Sequence, residues 1–137
     1  MIVLDTHIWH WWTNQIPNKL SPALCALIEQ AQDVGISTMS CFEMAWLVQH
    51  GRIDLGMCFD AWLAQVELSA TVEFLPVTAQ IAASAVSLPE RHRDPVDRII
   101  ISTALYHHAQ LVSFDNVFPA YTKCGLDLLG AKSGQLA

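Results

Sequence analysis

Short apolar runs alternate along this chain with longer segments whose apolar residues recur at helical spacing. The runs predict strands at residues 2–4, 34–37, 72–77 and 111–114, with a last short strand at 126–129. Strands that alternate with helices indicate an α/β sandwich around a short, mostly parallel central sheet.

The residues before the helical segments predict where those helices begin. Asp5 or Thr6 caps a helix that runs to residue 12, and Ser21 before a proline starts one that runs to about residue 31. The S-x-x-E pattern from Ser40 to Glu43 is a formal capping box, which predicts a helix from there to residue 50. Thr78 caps a helix to about residue 87, and a further helix is expected over residues 57–68.

The segment from Asp94 to residue 108 is the clearest helix in the chain. Asp94 is a good N-cap, Pro95 suits the first helical position, and an apolar stripe follows at helical spacing. Asp97 stands three residues after the cap, where a carboxylate closes a capping box and favours the positive end of the helix dipole. Taken alone, this segment has a structural explanation for both acids.

Composition limits the classes of protein that remain. The 137 residues suffice for one domain, which we expect at 1–130 with a frayed tail at 131–137. Hydrophobic residues make up 53% of the chain, yet no apolar run reaches the length of a membrane span, and the first residues lack the pattern of a signal peptide. We therefore expect a cytoplasmic protein.

The charge and the cysteines argue against two kinds of site. A net charge of −6 argues against a strongly basic nucleic-acid-binding surface. It does not exclude a nucleic-acid enzyme, because bound cations can cancel a cluster of carboxylates. The four cysteines are scattered with no C-x-x-C pair, so buried free thiols are expected rather than a zinc site or a disulfide framework.

Four acids lie where predicted strands and helices meet: Asp5, Glu43, Asp97 and Asp115. Each has a local structural explanation, as a helix cap, a capping-box partner or an Asx turn. Should they converge, two carboxylates about 4 Å apart would repel by roughly 4 kcal/mol at an effective dielectric of about 20. Such a cluster must bind protons or a cation, and a set of oxygen ligands suits Mg²⁺ or Mn²⁺.

Four ordered motifs resemble those of the PIN-domain ribonucleases, most closely the VapC-like toxins of bacterial toxin–antitoxin pairs. The motifs are MIVLDTH at residues 1–7, SCFEMA at 40–45, HRDPVDRIII at 92–101 and LVSFD at 111–115. The resemblance implies a PIN-like α/β/α sandwich and a Mg²⁺- or Mn²⁺-dependent endoribonuclease with an RNA substrate. It also implies a cognate antitoxin as partner and a homodimer.

The same resemblance implies roles for individual residues. Asp5 and Asp97 would be the most direct metal ligands, with Glu43 holding the metal or its water and Asp115 binding a second ion or acting through water. Asp94 is the alternative to Asp97, but its position before Pro95 fits a cap better. Asp94, Thr6 and Ser113 are therefore expected to support the ligands; Ser113 keeps a hydroxyl where the family usually has threonine in Thr-x-Asp.

Positive and aromatic residues near the motifs are open to two interpretations. Arg91, Arg93 and Arg98 either hold RNA phosphates or lie on a solvated loop. His7 would touch the scissile phosphate or lie at the edge of the core. Three tryptophans on one short helix cannot all face one core, so we expect one or two of them at an interface. The three are Trp9, Trp11 and Trp12. By the resemblance this interface would be a homodimer contact or the groove that receives the antitoxin, and stacking on an RNA base is the last of the options.

Two other functions compete with the nuclease. A PIN-like scaffold that has lost its chemistry would bind a partner without cleaving it, although all four acids are present. A phosphatase of the haloacid-dehalogenase type also begins with an aspartate after its first strand, but it requires a second aspartate where this chain has His7. A receiver domain would need a well-placed lysine after a late strand, and the lysines here do not suit that role.

Overall fold

A computed structural model describes residues 1–90 and 94–130 of the protein. Its five strands are Ile2–Leu4 (β1), Val34–Ser37 (β2), Glu73–Leu75 (β3), Gln110–Val112 (β4) and Asp127–Leu129 (β5). They form one sheet in the order β3-β2-β1-β4-β5, and all four pairings are parallel. The prediction of a mostly parallel sheet is confirmed.

Six α-helices and one 3-10 helix connect the strands in the described part of the chain. They are Thr6–Thr13 (α1), Pro22–Gln30 (α2), Thr38–Gln49 (α3), Phe59–Ser69 (α4), Ala79–Ser87 (α5), Pro95–Tyr106 (α6) and the 3-10 helix Phe118–Cys124. Three predicted caps are confirmed: the side chains of Ser21, Thr78 and Asp94 each accept a hydrogen bond from a backbone N–H in the helix that follows.

The side chains of the strands alternate between two apolar cores, one on each face of the sheet. Ile2 and Leu4 pack on one face with Trp9 and Trp62, whereas Val3 packs on the other face with residues of α6. Two cores separated by one sheet make the α/β/α sandwich that the sequence predicts.

The predicted start of α3 is wrong, and the observed start changes the position of Glu43 within the helix. Ser37, the last residue of β2, accepts a hydrogen bond from the Met39 N–H (3.1 Å), so the helix follows the strand directly. Ser40 is therefore inside the helix and fully buried, and Glu43 lies in the second turn instead of closing a capping box. The S-x-x-E pattern instead reflects contacts of Ser40 and Glu43 with Thr6 at the candidate site.

Other differences are smaller. The fourth strand ends at Val112, so Ser113 and Asp115 lie in the segment after the strand, and the 3-10 helix was not predicted. The cysteines are free as expected, but Cys58 and Cys124 are exposed, so their predicted burial is wrong. Trp9 is buried while Trp11 and Trp12 are only partly covered.

Some predictions fall on residues outside the described part of the chain. They concern Arg91, Arg93 and the tail 131–137. Among the described helices, none combines the length and the apolar character needed to cross a membrane.

Candidate metal centre

The candidate centre lies at the carboxyl ends of β1 and β4, where the strand order changes direction. The backbone N–H of Asp5, which follows β1, donates to the carbonyl of Val112 at the end of β4 (3.0 Å). In open parallel sheets, crevices form beyond the carboxyl ends of the strands at this switch point. The early turns of α3 and α6 supply the other acids.

Three carboxylates converge there. Asp5, Glu43 and Asp97 each offer an oxygen, and these oxygens lie within 4.8 Å of one another. Asp5 is 8% exposed and Asp97 9%, so both carboxylates are largely withdrawn from water. The structure thus brings together three of the four acids that the sequence predicts.

Hydrogen bonds fix both oxygens of Asp5. Its Oδ1 accepts from the backbone N–H of Thr6 (2.8 Å), which caps α1, and its Oδ2 accepts from the Ser113 hydroxyl (2.7 Å). Burial raises the pKa of Asp5 above its usual value, while the bonds from Ser113 and Thr6 oppose that rise. Ser113 therefore contacts the acid that it was predicted to support.

Thr6 links Asp5 to Glu43. The hydroxyls of Thr6 and Ser40 are hydrogen-bonded (3.0 Å between the oxygens), and both residues are fully buried. Burial raises the pKa of Glu43, and a hydrogen bond with the Thr6 side chain opposes the rise. Ser40 thus anchors the hydroxyl that contacts Glu43, which explains the S-x-x-E spacing: one helical turn places both residues on the side that faces Thr6.

Asp97 is affected by the charges of more neighbouring acids than Asp5 or Glu43. Burial is the main cause that raises its pKa, to about 8, and the charges of nearby acids add to it. In order of decreasing effect, these acids are Asp5, Asp94, Glu43 and Asp115. In the metal-free protein this carboxyl therefore holds a proton near neutral pH.

Asp94 and Asp115 stand at the margin of the cluster. Asp94 is exposed, and its Oδ1 accepts from the Val96 N–H (2.9 Å), as expected of a cap. Asp115 donates its backbone N–H to the Ser113 hydroxyl (3.1 Å), and its Oδ1 accepts from the Val117 N–H (2.7 Å). Its charge raises the pKa of Asp5 and Asp97, which places it near them, but it is not among the three converging oxygens.

The donor set fits a hard divalent cation. All three donors are carboxylate oxygens, the ligands that Mg²⁺ and Mn²⁺ prefer. Burial first, and then the charges of the neighbouring acids, raise the pKa of all three, and a bound cation would stabilise their charged forms.

Arg98 is the one of the three predicted arginines that lies in the described part of the chain. Its guanidinium donates to the carbonyls of Ala85, Val86, Leu88 and Pro89 (2.6–3.2 Å) at the end of α5. These bonds give Arg98 a structural role, and its contact with an RNA phosphate stays a prediction. His7 is exposed, and its charge lowers the pKa of Asp5 and Glu43, so it lies beside the carboxylates.

Sequence reasoning missed two supporting residues. Ser40 was assigned to a cap, although a serine one turn before an acid also permits the contact with Thr6 seen here. Gly130 follows β5, and a Cβ at this position would overlap the carbonyl oxygen of Ser113. Only the close approach of two chain segments, which no local pattern reveals, explains that glycine.

Comparisons with known proteins point to one family. The family model described as the PIN domain matches residues 2–123. The chain is 38% identical to Ribonuclease VapC22 of Mycobacterium tuberculosis over 115 residues, which is 83% of this chain and 86% of the relative.

Solved structures share the fold at low sequence identity. VapBC2 from Rickettsia felis, solved bound to a DNA fragment from its promoter, superposes with a TM-score of 0.66 at 18% identity, covering 95% of this chain and 98% of that one. The toxin VapC20 of Mycobacterium tuberculosis, described as cleaving the sarcin–ricin loop, gives 0.66 at 23% identity, covering 88% and 94%.

Proposed function

The chain belongs to the PIN-domain family, and on that premise we propose that it is a metal-dependent endoribonuclease acting as the toxin of a toxin–antitoxin pair. The observation that carries the proposal is the convergence of three carboxylates, two of them buried and that of Glu43 partly exposed, at the switch point of the sheet. The relative named as a ribonuclease, at 38% identity, supports the same reaction class.

We assign the metal to Asp5, Glu43 and Asp97, with Asp115 acting from the margin. Mg²⁺ is the expected ion and Mn²⁺ the alternative, since both accept a set of carboxylate oxygens. A divalent cation bound there would supply Lewis-acid activation of an RNA phosphodiester.

The chain's own residues orient these ligands. Ser113 holds Oδ2 of Asp5 and also accepts from the Asp115 backbone, so one hydroxyl ties the two strand-end acids together. Thr6 and Ser40 hold Glu43, and Asp94 fixes the first turn that carries Asp97. His7, exposed beside the carboxylates, is positioned to contact a phosphate of the substrate.

An antitoxin protein is the proposed partner, and a homodimer in the cytoplasm is the proposed state. The support for an antitoxin is the fold shared with toxin chains of solved toxin–antitoxin complexes. The partly covered tryptophans Trp11 and Trp12 keep their predicted role at such an interface.

The test is cleavage of total cellular RNA by the purified, antitoxin-free protein with Mg²⁺ or Mn²⁺, beside Asp5→Asn and Asp97→Asn. Asp60→Asn is a matched control, because Asp60 also lies in the first turn of a helix but is exposed. Discrete fragments from the wild type and the control, abolished by EDTA and by both site variants, are expected.

Metal binding measured by calorimetry on the same proteins separates the alternatives. A protein that binds Mn²⁺ and RNA but cleaves no RNA would support the non-catalytic scaffold. Equal Mn²⁺ affinity in the wild type and Asp5→Asn would refute the assigned site.

A further inference from the structure

Helix α3 carries an exposed aromatic strip that begins beside Glu43. Phe42 is 59% exposed and Trp46 43%, although both are large apolar side chains. Together with His50 they recur at intervals of four residues, so they lie along one side of the helix. We call Phe42, Trp46, His50 and the following Arg52 the α3 strip.

The rings of the α3 strip are already arranged for stacking. Trp46 and His50 are nearly parallel, with ring centroids 3.9 Å apart and planes inclined by 21°. His50 Nδ1 donates to the Trp46 carbonyl (2.8 Å), which holds the imidazole against the indole. The guanidinium of Arg52 lies 5.8 Å from the centroid of the Trp46 ring, within cation–π range.

The turn at the end of α3 brings Arg52 back towards Trp46. Gly51 adopts a positive φ of 70°, its N–H donates to the Val48 carbonyl (3.1 Å), and the Arg52 N–H donates to the Leu47 carbonyl (2.8 Å). These two bonds are a Schellman motif, which reverses the chain after the helix. This reversal brings the chain at Arg52 back alongside α3, from where its side chain reaches the indole.

Two observations favour a nucleic acid as the occupant of this surface. The strip is continuous with the acid cluster, since Glu43 lies between Phe42 and Trp46 on the same helix, about 4.5 Å from Trp46 along its axis. It also presents a cation in a chain with only seven Lys and Arg against thirteen Asp and Glu. Exposed rings with an accompanying cation are the elements that bind unpaired bases and their phosphates.

We infer that the α3 strip binds an unpaired nucleotide of the RNA substrate next to the scissile position. The base stacks on Phe42 and the exposed part of Trp46, and Arg52 contacts a neighbouring phosphate. The inference rests on the proposed function for its substrate, but it concerns binding, which can be measured without cleavage.

The test is the affinity of a fluorescently labelled single-stranded RNA of mixed sequence, measured in the Asp97→Asn background so that the RNA stays intact. Loss of one stacked base should weaken binding about 5- to 100-fold in Trp46→Ala, whereas Trp46→Phe should retain most of the affinity. Arg52→Ala should lower the slope of log Kd against log salt by about 0.7, as expected for one phosphate contact to a single strand.

Tyr106→Ala is the matched control. Tyr106 is 45% exposed and, like Trp46, lies next to a histidine ring, but it is at the far end of α6. Its removal should leave RNA affinity unchanged. Thermal unfolding of each variant verifies that the fold is retained.

The outcomes separate this inference from the proposed function. RNA affinity that is equal in Trp46→Ala and its parent overturns the inference even if the wild type cleaves RNA. Weaker RNA binding in Trp46→Ala supports it even if the wild type proves inactive. A Trp46→Ala protein with unchanged RNA affinity but an altered mass by light scattering would assign the strip to a contact between copies and overturn the inference.

Discussion

Helices α1 and α6 both begin at an aspartate, yet the roles of helix cap and cluster member are assigned differently in the two. At α1, Asp5 is the cap and a member of the acid cluster at once, with one oxygen on the Thr6 N–H and the other on Ser113. At α6 two residues share these tasks: Asp94 caps the helix from an exposed position, and Asp97, one turn later, enters the cluster.

The difference shows how hydrogen bonds and neighbouring charges act on the pKa of a buried carboxylate. The hydrogen bonds on Asp5 stabilise its charged form and oppose the effect of burial. At Asp97, burial and then the charges of the neighbouring acids act in the same direction and raise the pKa to about 8. Asp5 is the member whose charged form is supported by hydrogen bonds, and Asp97 is the member whose ionisation is opposed by the largest number of neighbouring acids.

Asp97→Asn should distinguish the roles of cap and metal ligand at the start of α6 most clearly. Because it removes a proposed metal ligand but leaves the cap intact, RNA cleavage should fall more than about 100-fold, beyond the usual cost of losing a residue that merely supports a ligand. The initial rate of cleavage with saturating Mg²⁺ measures this. Activity within a few fold of the wild type would show that Asp97 is not a ligand.

Ser113→Ala tests the support of Asp5. Loss of the hydroxyl that holds Oδ2 should weaken metal affinity or activity by about 10- to 100-fold, as for other residues that orient a ligand. Mn²⁺ titration calorimetry and cleavage rates provide the measurement. Ser113→Thr, which restores a hydroxyl, should recover most of the loss; if it is as defective as Ser113→Ala, packing rather than the hydrogen bond is responsible.

The stability of the metal-free protein should depend on pH through Asp97. Its folded pKa of about 8 lies above the unfolded value of 3.8, so between these values the folded state holds a proton that the unfolded state has lost. Its contribution is fully present below the unfolded pKa and is lost as pH rises toward 8. Thermal unfolding in EDTA should therefore show a Tm that falls across this range.

Two controls accompany that titration. Asp97→Asn should flatten the fall in Tm, because its side chain does not titrate. Mn²⁺ should restore the Tm of the wild type at high pH, since a ligand that binds only the folded state stabilises it. A wild-type profile that is flat in EDTA would contradict the raised pKa.

Asp94→Ala should have the smallest effect. It removes the cap of α6, so the free energy of unfolding should fall by about 1 kcal/mol, and cleavage should fall less than in Ser113→Ala because Asp94 supports Asp97 only through the helix turn. Urea denaturation measures the first quantity. A loss of activity as large as that of Asp97→Asn would instead make Asp94 the ligand, the alternative that the sequence left open.

Most of the fold could be predicted from the sequence, because the signals for strands and helices are local. The apolar runs mark all five strands, and the caps Ser21, Thr78 and Asp94 act within a few residues of their own position. The family motifs also identified the acids that converge, although no spacing along the chain measures the distance between Asp5 and Asp97.

The tertiary structure decided what each polar residue near those acids contacts. Ser40 supports Thr6 instead of capping a helix, Arg98 binds carbonyls at the end of α5, and Gly130 makes room for the Ser113 carbonyl. The Arg98 contacts depend on how α5 packs against α6. The other two join segments that follow paired strands, and they depend on the order in which the strands pair. Local propensity and spacing carry no information about that order, so only the folded sheet determines them.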